Sequence, residues 1–178
     1  MATGERPTVI SEGKHLRFMK QDGWEFVTRK GVGGVVALVA VTDDGKLLLV
    51  EQFRKPVDAI VIELPAGLAG DGQYRNETLE SAARRELREE TGYEASQMEY
   101  LGGGPASAGL TDELITLFRA TGLNKVGMPT PDGDENIIVH EIPLNEVPSW
   151  LTAQAERGAL ADLKIFSALH FAANPNPR

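Results

Sequence analysis

Hydrophobic positions fall into short runs separated by turn residues over the first third of the chain, then switch to a helical period. His15 to Lys20 and Trp24 to Arg29 flank Gln21-Asp22-Gly23, and Asp-Gly between two short runs predicts a β-hairpin. Lys30 to Gly34 interrupts the pattern. Val35 to Val41 and Leu47 to Gln52 enclose Asp43-Asp44-Gly45, which predicts a second hairpin with more apolar strands. Ala59 to Leu64 reads as a further strand running into Pro65-Ala66-Gly67.

From Thr78 the period changes. Leu79, Ala82, Ala83 and Leu87 form an apolar stripe at helical spacing. Thr78 is placed to cap the helix, Glu80 suits the positive end of its dipole, and Gly92 suits its C-terminal stop. Leu114 to Ala120 and Ile137 to Ile142 are strand-like. Ser149 is placed to cap a helix from Trp150 to Arg157, and Ala161 to Ala173 reads as a last amphipathic helix carrying Leu163, Phe166, Leu169 and His170. The first dozen residues mix Gly, Pro and charge and read as a loose terminus. Strands and helices alternate irregularly, which favours an α/β fold with a mixed sheet between helices over a doubly wound parallel one.

Composition narrows the possible functions. The 178 residues suit one domain with a full-sized core. A net charge of −8 argues against nucleic-acid partners and anionic membranes, both of which need a basic surface. The absence of cysteine excludes disulfides, thiolate zinc sites and thiol nucleophiles. Met1 to Lys14 has no apolar run of the signal-peptide kind, and Val35 to Val41 is too short to span a bilayer. Cytoplasmic residence is the expectation.

Candidate chemistry concentrates in Arg84 to Tyr93. Glu86, Glu89 and Glu90 stand at i, i+3 and i+4, on one face of a helix. Like charges so placed destabilise an isolated helix. A divalent cation reverses the sign, because clustered carboxylates supply the hard oxygen ligands that Mg²⁺ takes alongside phosphate oxygens. Glu86 and Glu90 are the first expected ligands. Glu89 is either a third ligand or a group that Arg85 orients. A solvated acidic face is the plainer account, and it leaves unexplained the flanking Arg85, Leu87 and Thr91-Gly92. Arg84 and Arg88 read as solvated helix residues, Glu77 as a brace for the preceding loop, and the three histidines as carrying no metal-ligand spacing.

From Glu77 the chain runs seven residues to Arg85-Glu86-Leu87, one to Glu89-Glu90, and one to Gly92 and Tyr93. This resembles the Nudix box, whose family cleaves nucleoside diphosphates linked to another moiety. The box expects a glycine six positions before its first glutamate, where this chain has Asp71. Gly67 takes its place with a loop four residues longer. The resemblance implies a Nudix α/β/α sandwich over about residues 32 to 173, with residues 1–31 an N-terminal arm and hairpin and 32–178 the hydrolase domain. It also implies Mg²⁺, with Mn²⁺ as an alternative, and a metal-binding carbonyl at Ala66, where a tight turn and the dihedral freedom of Gly67 would aim it.

Substrate residues follow from a narrower likeness. Glu51-Gln52-Phe53-Arg54 with Glu63-Leu64-Pro65-Ala66-Gly67 is similar to the branch that hydrolyses ADP-ribose and related nucleoside diphosphate sugars. That branch implies substrate contacts at Arg54, at Leu68, and at Glu113 in a closing segment, Ser107 to Glu113. The branch often has proline at position 108, where this chain has Ala. It also implies a catalytic base on an acidic loop, here Glu135, with Asp134 and Asp132 as alternates, and Glu89 in a catalytic role. In that branch an N-terminal strand element packs across a homodimer's two-fold axis, so Trp24 and Arg29 are expected to bind substrate, one or the other reaching the partner's nucleotide. For Trp24, stacking on a base and anchoring the dimer both fit. Two alternatives stay open: a Nudix hydrolase of NADH, dinucleoside polyphosphates or oxidised nucleotides, and a non-catalytic nucleotide-sensing Nudix domain.

Overall fold

The computed structural model describes residues 4–130 and 136–174. Three sheets organise the chain. β1 (Thr8–Glu12), β2 (Leu16–Gln21) and β3 (Trp24–Arg29) form an antiparallel N-terminal sheet turned at Asp22-Gly23, where both residues take positive φ. β4 (Gly34–Ala40) lies at the centre of a second sheet, between β7 (Ala66–Ala69) and β9 (Leu114–Lys125), with β8 (Tyr93–Pro105) at its edge. The β4–β9 pair is parallel and its neighbours are antiparallel. The third sheet runs β10 (Ile138–Pro143), β5 (Lys46–Arg54), β6 (Ala59–Glu63), β11 (Leu160–Ala161).

Alternation along β4 divides the core in two. Val36, Leu38 and Ala40 pack with Ala82, Ala83 and Leu87 of α1 (Leu79–Thr91). Ala37 and Val39 pack with Leu47, Leu49 and Ile62 of the third sheet, Val147 and Leu151 of α2 (Val147–Glu156), and Ile165 and Ala168 of α3 (Lys164–Ala173). A mixed arrangement with helices on both sides is what the irregular alternation predicts. The sequence-based ends of α1 also hold. Thr78 Oγ1 accepts from the Ser81 N–H at 3.1 Å, and Gly92 closes the helix at φ 74°.

Four expectations need correcting. The opening residues are not loose throughout, because Thr8–Glu12 pair with β2, whose outer edge would otherwise carry an unpaired ladder. Tyr93–Pro105 forms a long strand that the pattern hides. It is an edge strand with only Tyr93 buried, so its apolar alternation is weak. Helix α2 begins at Val147, with Pro148 in the first turn where a missing N–H costs little. Ser149 lies inside that turn, donating to the Glu146 carbonyl at 2.9 Å. Helix α3 begins at Lys164 instead of Ala161. Asp162 stops the short strand, accepting the Lys164 N–H on its carboxylate at 2.7 Å and the Ile165 N–H on its carbonyl at 3.1 Å. Leu163 and Phe166 accordingly remain 79% and 55% exposed, and Ile165 and Ala168 fill the core.

Candidate active site

The second half of α1 lies beside strand β7, and Arg85 organises the polar groups between them. Its Nη1 donates to Glu86 at 2.8 Å and to Glu89 at 2.9 Å. Its Nη2 donates to Glu77 at 2.8 Å and to the Leu68 carbonyl at 3.0 Å. The guanidinium also sits 4.3 Å from the centre of the Tyr74 ring. Burial alone would lower the pKa of Arg85, but its bonds to Glu77 and Glu89 and the charge of Glu86 raise it instead, so it stays cationic. Glu77 braces the long loop by accepting the Gly70 N–H at 3.1 Å. Burial opposes its charge, yet the Arg85 and Gly70 bonds hold its pKa below the usual carboxylate value.

Glu86 is the most perturbed acid among these groups. Burial pushes its pKa up to about 7, Arg85 opposes the rise, and the neighbouring charges of Glu89 and Asp71 add to it. Its carboxyl group lies so close over Gly67 that a Cβ there would collide with it. A side chain at position 67 would therefore displace the Glu86 carboxyl from its place beside Arg85. Gly67 lies in β7, paired with Val36, and is not among the positive-φ glycines, which corrects the expectation of a tight turn with unusual dihedrals. Glu90 is buried and accepts the Ala66 N–H at 2.9 Å. The helix end is also held from downstream. Thr130 donates its N–H to the Glu89 carbonyl at 2.7 Å, and Val126 donates to the Gly92 carbonyl at 2.9 Å. A Cβ on Gly92 would strike the Gly127 carbonyl.

These groups form one wall of a cavity of about 490 Å³. Eight of the ten residues singled out from sequence line it: Ala66, Leu68, Glu86, Glu89 and Glu90, together with Arg29, Arg54 and Glu113 from other elements. Arg54 Nε donates to the buried Glu63 at 2.7 Å, and Arg29 pairs with Glu113. Trp24 does not join them within one chain. It is 68% exposed and borders a separate hollow with Thr111 and Asp112. Glu135, with its alternates Asp134 and Asp132, lies outside the described residues. Sequence reasoning missed Asp71 and Lys164, which also line the cavity. No local pattern marks Lys164, whose place depends on the bond between Asp162 and Ile62 of β6.

The donor set suits a hard divalent cation. Three carboxylates crowd one wall, and one is burdened by burial and by its neighbours' charge, a cost that a bound cation would relieve. Their oxygens are engaged by Arg85 and the Ala66 N–H, and no group of three or more such side chains among the described residues is already gathered around a single point. No helix among the described residues is long and apolar enough to cross a membrane.

The site thus joins a helix-borne carboxylate cluster to arginines brought in from other strands. The chain belongs to the Nudix family, whose pattern, described as the NUDIX domain, matches residues 32–163. It is 40% identical over 122 residues to a protein of Bacillus methanolicus named methanol dehydrogenase activator, covering 66% of this chain and 62% of the relative. It is also 40% identical over 114 residues to the ADP-ribose pyrophosphatase of Bacillus subtilis (strain 168), covering 64% and 60%. The matches thus span about three-fifths of the length of these curated relatives. A crystal structure described as an ADP compounds hydrolase superposes with TM-score 0.65 over 83% of this chain and 82% of that one. At 18% identity that likeness speaks for the fold alone.

Proposed function

We propose that the protein hydrolyses the pyrophosphate bond of ADP-ribose or a related nucleoside diphosphate sugar, giving a nucleoside monophosphate and a sugar phosphate. The observation that carries this reading is the convergence of the box carboxylates with Arg29 and Arg54 in one cavity. The name of the Bacillus subtilis relative supports the choice of substrate. Mg²⁺, or Mn²⁺ in its place, would be held by Glu86, Glu89 and Glu90 with the Ala66 carbonyl, and would neutralise phosphate oxygens and lower the pKa of a water. Arg54, steadied by Glu63, and Arg29, steadied by Glu113, present cations to the substrate's phosphates and sugar hydroxyls. Val35, Leu68 and Ile115 add apolar wall that limits water access. Glu135 serves as the base that takes a proton from the attacking water, with Asp134 and then Asp132 as alternates.

Residues 1–31 form an assembly element and 32–178 the hydrolase domain, and the working form is a homodimer in which Trp24 meets the partner's nucleotide, while Arg29, expected there too, lines its own chain's cavity. A second reading, a domain that acts on a partner protein, draws on the name of the Bacillus methanolicus relative. Retention of all three box glutamates weighs against a role without catalysis.

One assay tests the proposal: purified protein against ADP-ribose, other nucleotide sugars, NADH and dinucleoside polyphosphates, with and without Mg²⁺. Metal-dependent release of AMP from ADP-ribose is expected, with Glu86→Gln and Glu90→Gln losing most turnover. Glu135→Gln is expected to lose about 10²- to 10⁴-fold in kcat, and an unchanged kcat would pass the base role to Asp134. No turnover of any compound in the panel would refute the enzyme reading.

A further inference from the structure

We infer that Lys164 is a further substrate-contacting residue, held by Asp162 so that its ammonium meets a nonbridging oxygen of the substrate's pyrophosphate. This rests on the pyrophosphate-hydrolase reading above and adds to it a cation from outside the box. Six carboxylates and four cations line the cavity. Arg29, Arg54 and Arg85 each pair with a carboxylate on the same wall, Glu113, Glu63 and the Glu86–Glu89 pair respectively. Lys164 differs. Its partner Asp162 does not line the cavity, so among the described residues Lys164 is the one lining cation with no ion-pair partner among the lining carboxylates.

The local structure fixes that placement. One Asp162 oxygen accepts the Lys164 backbone N–H at 2.7 Å, and the other takes the Lys164 ammonium. Asp162 is itself tied to β6 through its own N–H, 2.9 Å from the Ile62 carbonyl. The next residue, Glu63, grips Arg54. Consecutive residues of one strand thereby set both Arg54 and Lys164. Asp162 is not the cap of α3, which is Leu163 with no side-chain cap bond. A cation in the first turn of a helix opposes the macrodipole, so helix stability does not account for a lysine there. The lysine also gives up rotamer freedom to stay half-buried. A compact ammonium in a carboxylate-rich cavity is suited to an anionic ligand, as phosphate-binding lysines are.

The test measures binding of methylenediphosphonate, a pyrophosphate mimic that cannot be cleaved, by calorimetry with Mg²⁺ present. Wild type, Lys164→Met, Lys164→Arg and Asp162→Asn are compared, beside steady-state kinetics on ADP-ribose. Lys164→Met is expected to weaken binding by about tenfold or more and to raise KM more than it lowers kcat. It should also flatten the salt dependence of binding, which the loss of a merely structural contact would not do. Lys164→Arg is expected to restore affinity to within about threefold of wild type. Wild-type affinity and KM in Lys164→Met would overturn the assignment, as would an equal loss in Lys164→Arg. A wild-type protein that binds the mimic but leaves ADP-ribose uncleaved would refute the substrate reading while the comparison of variants still decides the role of Lys164.

Discussion

The two parts of this chain are built on opposite terms. Strands β4 and β5 bury most of their residues, and Leu38, Val39, Leu48 and Leu49 are wholly inaccessible. Strands β1 to β3 bury none, and Val9, Ile10, Phe18 and Trp24 stand exposed on them. The N-terminal sheet meets the rest of its chain through few bonds, chiefly Val27 N–H to the Leu110 carbonyl and the Arg29–Glu113 pair. The box carboxylates are thus fixed by a core that one chain completes. Arg29 is delivered by a sheet whose Val9, Ile10, Phe18 and Trp24 stand exposed within that chain, and under the dimer proposal a second copy covers them.

The largest expected contrast is in stability. Leu87→Ala, in the core beneath α1, should cost about 2–5 kcal/mol, whereas Phe18→Ala should cost under about 1 kcal/mol in dilute solution. Chemical denaturation of both variants measures this. Equal costs would mean that the N-terminal sheet is as firmly packed as the core. Next in size is removal of residues 1–30. The truncated protein should be a monomer by light scattering, with KM raised about tenfold and a cooperative melt retained. A full-length monomer with normal KM would break the proposed division of labour between sheet and core.

The last effect is a pH dependence confined to the core. A carboxyl whose folded pKa is raised binds its proton more tightly when folded, so it favours the fold at low pH and loses that contribution as pH rises. For Glu86 the loss runs from the usual carboxylate value of 4.5 up to about 7. Without metal, melting temperature should fall by about 4–8 °C between pH 5.5 and pH 8, equivalent to roughly 2 kcal/mol. Because Mg²⁺ needs the ionised carboxylate, added Mg²⁺ should stabilise more at pH 8 than at pH 5.5. Thermal melts of the full-length and truncated proteins should give the same profile, and a profile that depends on residues 1–30 would place its origin elsewhere.

The signals that were legible in the sequence were local ones. Asp22-Gly23 and the glutamate spacing of α1 each encode their outcome within a few residues, and most of the cavity's residues could be named from the box and its neighbouring motifs. What escaped was set by distant partners. Tyr93–Pro105 becomes a strand because β9 offers it a ladder, although its own apolar pattern is faint. Gly67 leaves room for the Glu86 carboxyl, contributed from a helix turn well along the chain. Lys164 enters the cavity because Asp162 is fastened to β6, a contact that spacing along the sequence does not reveal.

The fastening of Thr130 and Val126 to the end of α1 has a consequence for synthesis. The carbonyls of Glu89 and Gly92 receive these N–H groups only from chain that follows β8 and β9. A nascent polypeptide emerging from the ribosome therefore carries its glutamate cluster well before it can finish the helix that bears it. Closure across so long an intervening segment is slow compared with helix growth. The last turn of α1 thus gains these bonds late, although the core partners of the helix, Val36, Leu38 and Ala40, precede it in the chain.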